Sequence, residues 1–504
     1  MKRLLIISLF ISSITTLFSQ TSTDALRYSR ILYNGTARYQ GIGGAFGAVG
    51  ADFSSIATNP AGLGLYTSSE FTISPALRME NSYSDYSMET NRDNKYNIGM
   101  EDLGLVFHMS GNDKSGSGFK GFNFAFGMNR QNDFNNRVFM EGTNNKNSLL
   151  TQYVNILNNS PGGMTPQMIN DQYPFDIALA YNSDLIYYDT LKHKYANDAP
   201  NGGLIQAKTI TTSGSINEFD FAFGANLNDR FYFGATIGVP VVRYNEYSHY
   251  SEIKNDTAIH YFHSMTYDQE LHTSGTGINL KVGVIYRPAN WVRIGVAVHT
   301  PTYYGHMKDS WNSTMTGNFD PGSNSSSSPL GSFDYQLTTP FRAIGSVAFI
   351  IGNFGLISAE YEYVNYSQSK FSDSNSGYSY IYVYDSLSPN YANNKSFSDV
   401  NTDIKNKYKV PLNLRIGTEW RIQRFRLRGG FGYYGSPYQA DINTAEMYVA
   451  SLGWGYRARH FFFDMTYQWT QQKEDYYFYD PTMADPSKNT YTTSTLSTTV
   501  GFRF

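Results

Sequence analysis

The chain has 504 residues, a formal net charge of -3, 42 Tyr, 34 Phe and no Cys. The near-neutral charge implies no broad attraction to nucleic acid, and the missing thiols exclude disulfides and thiolate chemistry. A mean hydropathy of -0.41 with 16% aromatic residues excludes a helical membrane protein and suits strands that are apolar on one face only.

Met1 to Ser19 reads as a signal peptide, with Lys2 and Arg3 as its charged start and Leu4 to Phe18 as its apolar stretch. Cleavage is expected at Gln20. No later apolar run is long enough for a transmembrane helix.

Residues 21–67 form a separate segment. Its centre, Gly41 to Gly64, reads GIGGAFGAVGADFSSIATNPAGLG. Such a small-residue run cannot build its own core, but it can pack closely inside something else. Gly41, Gly43 and Gly44 make no dinucleotide fingerprint, because Phe46 stands at the third glycine position and no strand precedes it.

From residue 68 to the C-terminus, alternating segments recur. In chain order they include Phe71-Ile73-Leu77-Met79, Leu103-Leu105-Phe107-Met109, Phe122-Phe124-Phe126-Met128, Phe219-Phe221-Phe223 and Phe231-Phe233-Ala235-Ile237-Val239. Ile278 to Tyr286, Val292 to Val298, Phe341 to Phe349, Ile357 to Tyr363, Tyr408 to Trp420, Phe425 to Tyr433, Tyr448 to Tyr456 and Phe461 to Trp469 continue the series. It ends on Leu496, Val500, Phe502 and Phe504, with Thr and Ser between them. A period of two places such sets on opposite faces of a sheet. The expected fold is all-β, an antiparallel transmembrane barrel of about 14 strands, an even number as in bacterial outer-membrane barrels. Pro75, Pro240, Pro301 and Pro411 each remove a ladder donor, so bulges or strand ends are expected there.

The connections sort by length. Asn228 to Arg230, Arg287 to Asn290, Ile351 to Asn353 and the turn at Gln423 are short. They alternate with long polar stretches: Ser82 to Gly99, Phe134 to Gln206, His306 to Pro329, Ser372 to Ser398 and Lys473 to Asn489. That parity marks a barrel with periplasmic turns and extracellular loops, placing it in the bacterial outer membrane with both termini periplasmic. In the longest loop, 134–206, Leu149, Leu150, Tyr153, Val154 and Leu157 fit one helical face.

With apolar sets facing lipid, the mixed sets face inward. Glu360, Glu362, Arg415, Glu419, Arg421, Arg424, Arg426 and Arg428 then share an inner wall, with Arg342 and Arg293 further round. These side chains suit an anionic substrate head. They equally suit an internal ion-pair network that also holds residues 21–67. A barrel of this size leaks unless its lumen is filled, and those residues are available to fill it.

His260-x-x-His263 fits no strict zinc pattern, no G-x-S-x-G elbow occurs, and no metal, cofactor or catalytic residue is expected.

Asn59-Pro60-Ala61 closes the glycine-rich run just before the first alternating strand. In this the chain resembles the FadL/TodX family of outer-membrane channels, whose N-terminal hatch ends in such a motif. The terminal Phe504 resembles the signature read by the barrel assembly machinery. The resemblance implies a monomer that takes up hydrophobic small molecules passively, of the long-chain fatty acid or aromatic hydrocarbon class. It implies a hatch motif at Gly43, Gly44, Asn59, Pro60, Ala61 and Gly62, ligand capture by the extracellular helical loop, and lateral exit into membrane lipid through a kink in the third strand near Gly127. It implies no enzyme activity. A structural or secretion-associated barrel that docks partner proteins is the alternative, and a barrel enzyme a third class.

Overall fold

A computed structural model of the chain describes residues 20–32, 34–111, 118–200, 202–255, 261–374, 380–383, 386–387, 397–439, 443 and 445–504. The expected signal peptide and His260 lie outside the described residues.

Fourteen antiparallel strands close into a barrel. They are β1 (Glu70–Tyr86), β2 (Glu89–Ser110), β3 (Phe119–Asp133, extended by Asn136–Asn144), β4 (Leu204–Leu227), β5 (Phe231–Lys254) and β6 (Phe262–Ala289). Next come β7 (Val292–His299 and Tyr303–Phe319), β8 (Leu330–Thr338 and Arg342–Ile351) and β9 (Gly355–Val364 and Lys370–Asp373). The circuit ends with β10 (Asn413–Ile422), β11 (Phe425–Tyr434), β12 (Met447–Arg457), β13 (Phe461–Tyr476) and β14 (Ser487–Arg503). Each strand pairs with the next, and β1 closes on β14 with Phe71 opposite Phe502. Closure removes every sheet edge that lipid could not satisfy.

The alternation fixes the faces. Phe124, Phe126, Phe219, Phe221, Phe223, Leu280, Val282, Val284, Leu414, Ile416, Leu427 and Trp454 are all exposed on the outer wall. Such an apolar belt on a closed barrel is a lipid-facing surface. Among the described residues no helix is long and apolar enough to cross a membrane.

The prolines act where expected. The β1–β2 register shifts between Ser74 and Pro75. The β5–β6 pairing passes from Gly238 to Val241 across Pro240. Pro301 separates the two parts of β7, and Pro411 stands just before β10.

Two expected loops are strands instead. Ser82 to Gly99 is the top of a long β1–β2 hairpin, turned at Ser87 and Met88, whose φ values are 50° and 69°. His306 to Phe319 continues β7, and Gly322–Ser327 folds back on it. Apart from Tyr96 and Ile98, which extend the exposed apolar belt, their outward faces are mostly polar, while Tyr86, Met315 and Phe319 turn onto the buried loop cluster, so the alternation is too diluted to reveal them.

The long-loop end carries three short helices, α3 (Leu149–Asn158), α4 (Pro166–Gln172) and α5 (Ile177–Asn182). They share an apolar cluster with Met140, Met265, Met315 and Phe478. The first described residues, Gln20 to Tyr66, pack against the inner faces of the strands.

Candidate functional site

The site is built from that N-terminal segment outward. Helix α1 (Ser22–Ser29) starts with a capping box between Thr21 and Asp24. Its Leu26 and Tyr28 pack among Phe134, Tyr244 and Tyr335 of the wall. The chain then runs down past β3, where Leu32 N–H donates to the Gln131 carbonyl at 2.8 Å. Helix α2 (Ala37–Gly41) lies against β13 and β14: Ala37 N–H donates to Thr499 Oγ1 at 2.7 Å, and Gln40 accepts from Ser497 at 2.8 Å. Gly43 and Gly44 follow with φ of 64° and 74°, a turn that side chains rarely permit.

Asn59 caps a tight helical turn, Pro60–Leu65, by accepting from Ala61 N–H at 3.1 Å. Its Nδ2 donates to the Gly47 carbonyl at 2.6 Å and the Val284 carbonyl at 3.3 Å. One side chain thereby ties the turn to its own segment and to β6. Pro60 fits the first position of the turn, where its missing N–H costs nothing. Ala61 is fully buried against Tyr232 and Ile285. Gly62 lies so close to Ser55 that a Cβ would stand 2.7 Å from Ser55 Oγ.

The wall is shaped to match, which sequence reasoning did not anticipate. A Cβ at Gly224 of β4 would stand 2.6 Å from Gly64 N and 2.8 Å from Leu63 Cβ. At Gly234 of β5 and Gly283 of β6 it would overlap Pro60 and Asn59. Gly417 and Gly430 receive Ile42 and Gly43 in the same way. The available signal was glycine at inward parity within strands whose outward residues are large.

The predicted polar residues divide into two groups. Arg342 pairs with Glu362 at 2.7 Å and also donates to the Ser29 carbonyl. Arg415 bridges Glu360 and Glu362, and Glu360 accepts from Gly47 N–H at 2.6 Å. Glu419 binds Arg38 at 3.0 Å and Arg428 at 2.9 Å, and Arg428 continues to Asp464 at 2.7 Å. These eight form two networks, Arg342–Glu362–Arg415–Glu360 and Arg38–Glu419–Arg428–Asp464, each with matched charges and each gripping the N-terminal segment. Arg421, 3.8 Å from Glu419, and Arg426, bonded to the carbonyls of Gln423 and Phe425, sit apart near the short turn. Arg38, Arg457 and Asp464 belong to the second of these networks and were missed as site residues. So was a third buried cluster, Lys281 with Glu218 and Asp220. In the segment itself, burial raises the Asp52 carboxyl above its usual range, while Arg38 and Thr36 oppose the shift.

Above α1 lies a cavity of about 450 Å³, lined by Arg27, Glu246, Phe175, Tyr267, Trp311 and Tyr476 among others. Arg27 also lies over the Tyr244 ring, 4.3 Å from its centroid. The α3 residues expected to capture ligand face away from solvent. Leu149, Leu150, Tyr153 and Leu157 are buried, and Val154 packs against the same loop cluster. Leu149 N–H donates to Glu252 at 2.8 Å, fixing the start of the helix on β5.

Gly127 is paired on both sides, opposite Gly104 on β2 and Asp220 on β4, and the Phe53 ring fills the space its missing side chain leaves. The β2–β3 ladder ends at Asp102 and Asn129. From there β3 bulges between Arg130 and Asn132, and Asn136–Asn144 pairs with β4. Among the described residues, side chains bridge the remaining interval: Asn91 donates to the Glu141 carbonyl at 2.8 Å, Asn97 donates to Asp133 at 3.4 Å, and Arg130 stands 3.8 Å from Glu101.

His249 bonds Asp268 at 2.6 Å and His263 stands 3.9 Å from Asp320. Among the described residues no group of three metal-ligating side chains forms.

No family model and no curated protein matches the chain. Solved structures do. A Pseudomonas aeruginosa FadL homologue is 12% identical with a TM-score of 0.54, covering 94% of this chain and 100% of its own. The Pseudomonas putida toluene transporter TodX is 10% identical with a TM-score of 0.53, covering 94% and 99%. The Ralstonia pickettii toluene transporter TbuX is 14% identical with a TM-score of 0.50, again covering 94% and 99%. At these identities the likeness is one of fold.

Proposed function

We propose, from the FadL/TodX-type fold this chain has, that it is an outer-membrane channel for passive uptake of hydrophobic small molecules of the fatty acid or aromatic hydrocarbon class. The short-turn end and both termini face the periplasm. Residues 21–67 act as the hatch, with Gly43, Gly44 and Asn59 to Gly62 as its motif. The observation that carries this reading is the seating of Asn59-Pro60-Ala61 against wall glycines, beneath an aromatic-lined cavity. A seated segment closes the lumen to water and ions, while Phe175, Tyr267, Trp311 and Tyr476 give the cavity an aromatic surface beside its charged lining of Asp24, Arg27, Glu246 and Glu270.

The lateral exit is proposed near Gly127 on β3, just below the end of the β2–β3 ladder at Asp102 and Asn129. An apolar ligand gains nothing by entering the periplasm, whereas passage from cavity to lipid keeps it out of water. The internal pairing of Arg342, Glu360, Glu362, Arg415, Glu419 and Arg428 favours their holding the hatch over binding a substrate head, because a bound anion would leave buried carboxylates without partners.

The test is uptake of labelled toluene and palmitate into proteoliposomes, with mass spectrometry of whatever co-purifies. Saturable uptake with no energy source supports transport. No uptake, an empty lumen and stoichiometric co-purification of partner proteins would establish the docking-barrel alternative.

A further inference from the structure

The outer wall is not uniform at the upper edge of its apolar belt. On β1, β2 and β4 the first polar outward residues are Asn81, Asn94 and Asn217, and on β14 the polar outward residues are Thr498 and Ser494. On β5 and β7 they include Arg243, His306 and Lys308, all exposed. Register brings these three together: Arg243 lies opposite Ser274 on β6, Ser274 opposite Lys308, and Thr276 opposite both Val241 and His306. Arg243 and Lys308 are thus two strand spacings apart, about 10 Å at the backbone, a span two long cationic side chains can close on one anion.

Local structure opens room for that anion. The β7 register shifts beside Gly305 against both β6 and β8. A depression of about 710 Å³ results, lined by Arg243, Ser274, Thr276, Tyr303, His306 and Lys308 among others. Among the described residues none of the three basic side chains has an ion-pair partner. Asp334, opposite Lys308 on β8, is the one acidic residue in the lining. Directly below, Ile278 and Tyr303 continue the lipid-facing belt. Cations over an apolar strip match an amphiphile with a phosphate at its head, since a buried apolar tail and a paired phosphate are satisfied at once.

We propose that Arg243, His306 and Lys308 form a docking site for the phosphate of a lipid A-type glycolipid, whose acyl chains lie along the belt beneath. The choice of this lipid rests on the reading that the long-loop end faces the cell exterior. The site is separate from the lumen and would anchor the barrel in the outer leaflet.

The test is native mass spectrometry of the full-length protein in detergent, titrated with lipid A, with dephosphorylated lipid A and with inorganic phosphate. Lipid A is expected to bind at least roughly tenfold more tightly than its dephosphorylated form, and to resist displacement by inorganic phosphate. The triple variant Arg243→Gln, His306→Gln, Lys308→Gln should lose that margin, and Asp334→Asn should tighten binding. A control that removes three cations elsewhere, Arg92→Gln, Lys146→Gln, Lys192→Gln, should bind as the wild type does. Heat-modifiable gel migration confirms folding, and the three single variants, each expected to weaken binding, replace the triple if it does not fold. Equal binding of lipid A by wild type and triple variant, or equal weakening in the control, overturns the proposal. So does equal binding of the dephosphorylated lipid, or displacement by inorganic phosphate, which would mark a free-anion site. Surface labelling of Ser87→Cys on intact cells separates the two readings. Labelling only after permeabilisation would overturn the lipid A assignment, whereas absent hydrocarbon uptake would refute transport and leave the lipid result standing.

Discussion

Replacing Gly224 with Ala tests whether close approach to the wall holds the N-terminal segment. The new Cβ would stand 2.6 Å from Gly64 N and 2.9 Å from the Leu63 carbonyl carbon, both backbone atoms. To regain ordinary contact the segment has to retreat by roughly 1 Å. The Asn123 Nδ2 bond to the Leu63 carbonyl is 2.8 Å, so such a retreat breaks it. Overpacking of this kind costs about 1–3 kcal/mol, and the lost bond about 1 kcal/mol more. The barrel ladder is untouched, so the loss falls on seating of the segment. The control is Gly345→Ala, where a Cβ on β8 meets nothing within 4 Å. Both variants should fold, judged by heat-modifiable gel migration. Gly224→Ala alone should show increased small-ion conductance in planar bilayers and faster proteolysis between Gln20 and Tyr66. If the two variants conduct and digest alike, the segment is not held by the glycine contacts, and the account of the wall fails.

Arg415→Met leaves Glu360 and Glu362 without their shared buried cation and should cost about 3–5 kcal/mol in detergent-based unfolding, with partial recovery in Arg415→Lys. Leu150→Ala empties a fully buried position in α3 and should weaken loop docking by about 2–5 kcal/mol, read as faster cleavage of 149–182 with the barrel intact. Burial raises the Asp176 carboxyl from 3.8 to about 7. The folded loop therefore binds this proton more tightly than the unfolded loop, so docking is favoured below the lower value and weakens as pH rises toward the upper one. Amide exchange over Ile177–Asn182, corrected for its intrinsic rate, should be faster at high pH than at low. Asp176→Asn should abolish the difference.

Alternation made the barrel legible because lipid imposes one requirement on every outward position, and Phe219, Phe221 and Phe223 answer it in turn. Above the belt the outward face meets water and only scattered residues such as Tyr86 turn onto the buried loop cluster, so the β1–β2 hairpin read as a loop. The turn at Asn59-Pro60-Ala61 was legible because it is a local conformational instruction: a cap, a first-position proline and a small residue. Its seat was not, because Gly224, Gly234 and Gly283 come from three strands and meet only through register. Arg38 was hidden for a similar reason. It lies 381 positions from Glu419 in the chain, and nothing beside it in sequence announces a partner. The apolar face of α3 was visible, but periodicity states only that a face is covered, and here Met265, Met315 and Phe478 cover it.

How the segment is held bears on how a ligand could pass. Around α2 and Gly47 it is gripped by buried charge: Arg38 on Glu419, and Gly47 N–H on Glu360, which Arg415 also binds. An apolar ligand carries no group that can replace those partners, and separating these buried groups leaves ions uncompensated. Around Asn59 to Gly64 the hold is of another kind. The chain lies on bare glycine backbone, with Asn59 and the Leu63 carbonyl supplying the wall hydrogen bonds. The glycine contacts are individually weak and a bound apolar molecule can replace them, and each of the two neutral hydrogen bonds costs only about 1 kcal/mol to lose. Ejection of the whole segment is therefore disfavoured, and movement confined to the part beside β3 to β6 is the less costly opening. It also lies next to the strand where the ladder lapses. A disulfide introduced between the segment and β14 should leave hydrocarbon uptake intact, whereas one between Leu63 and Gly224 should stop it. Equal inhibition by both cross-links would show that the segment moves as one body.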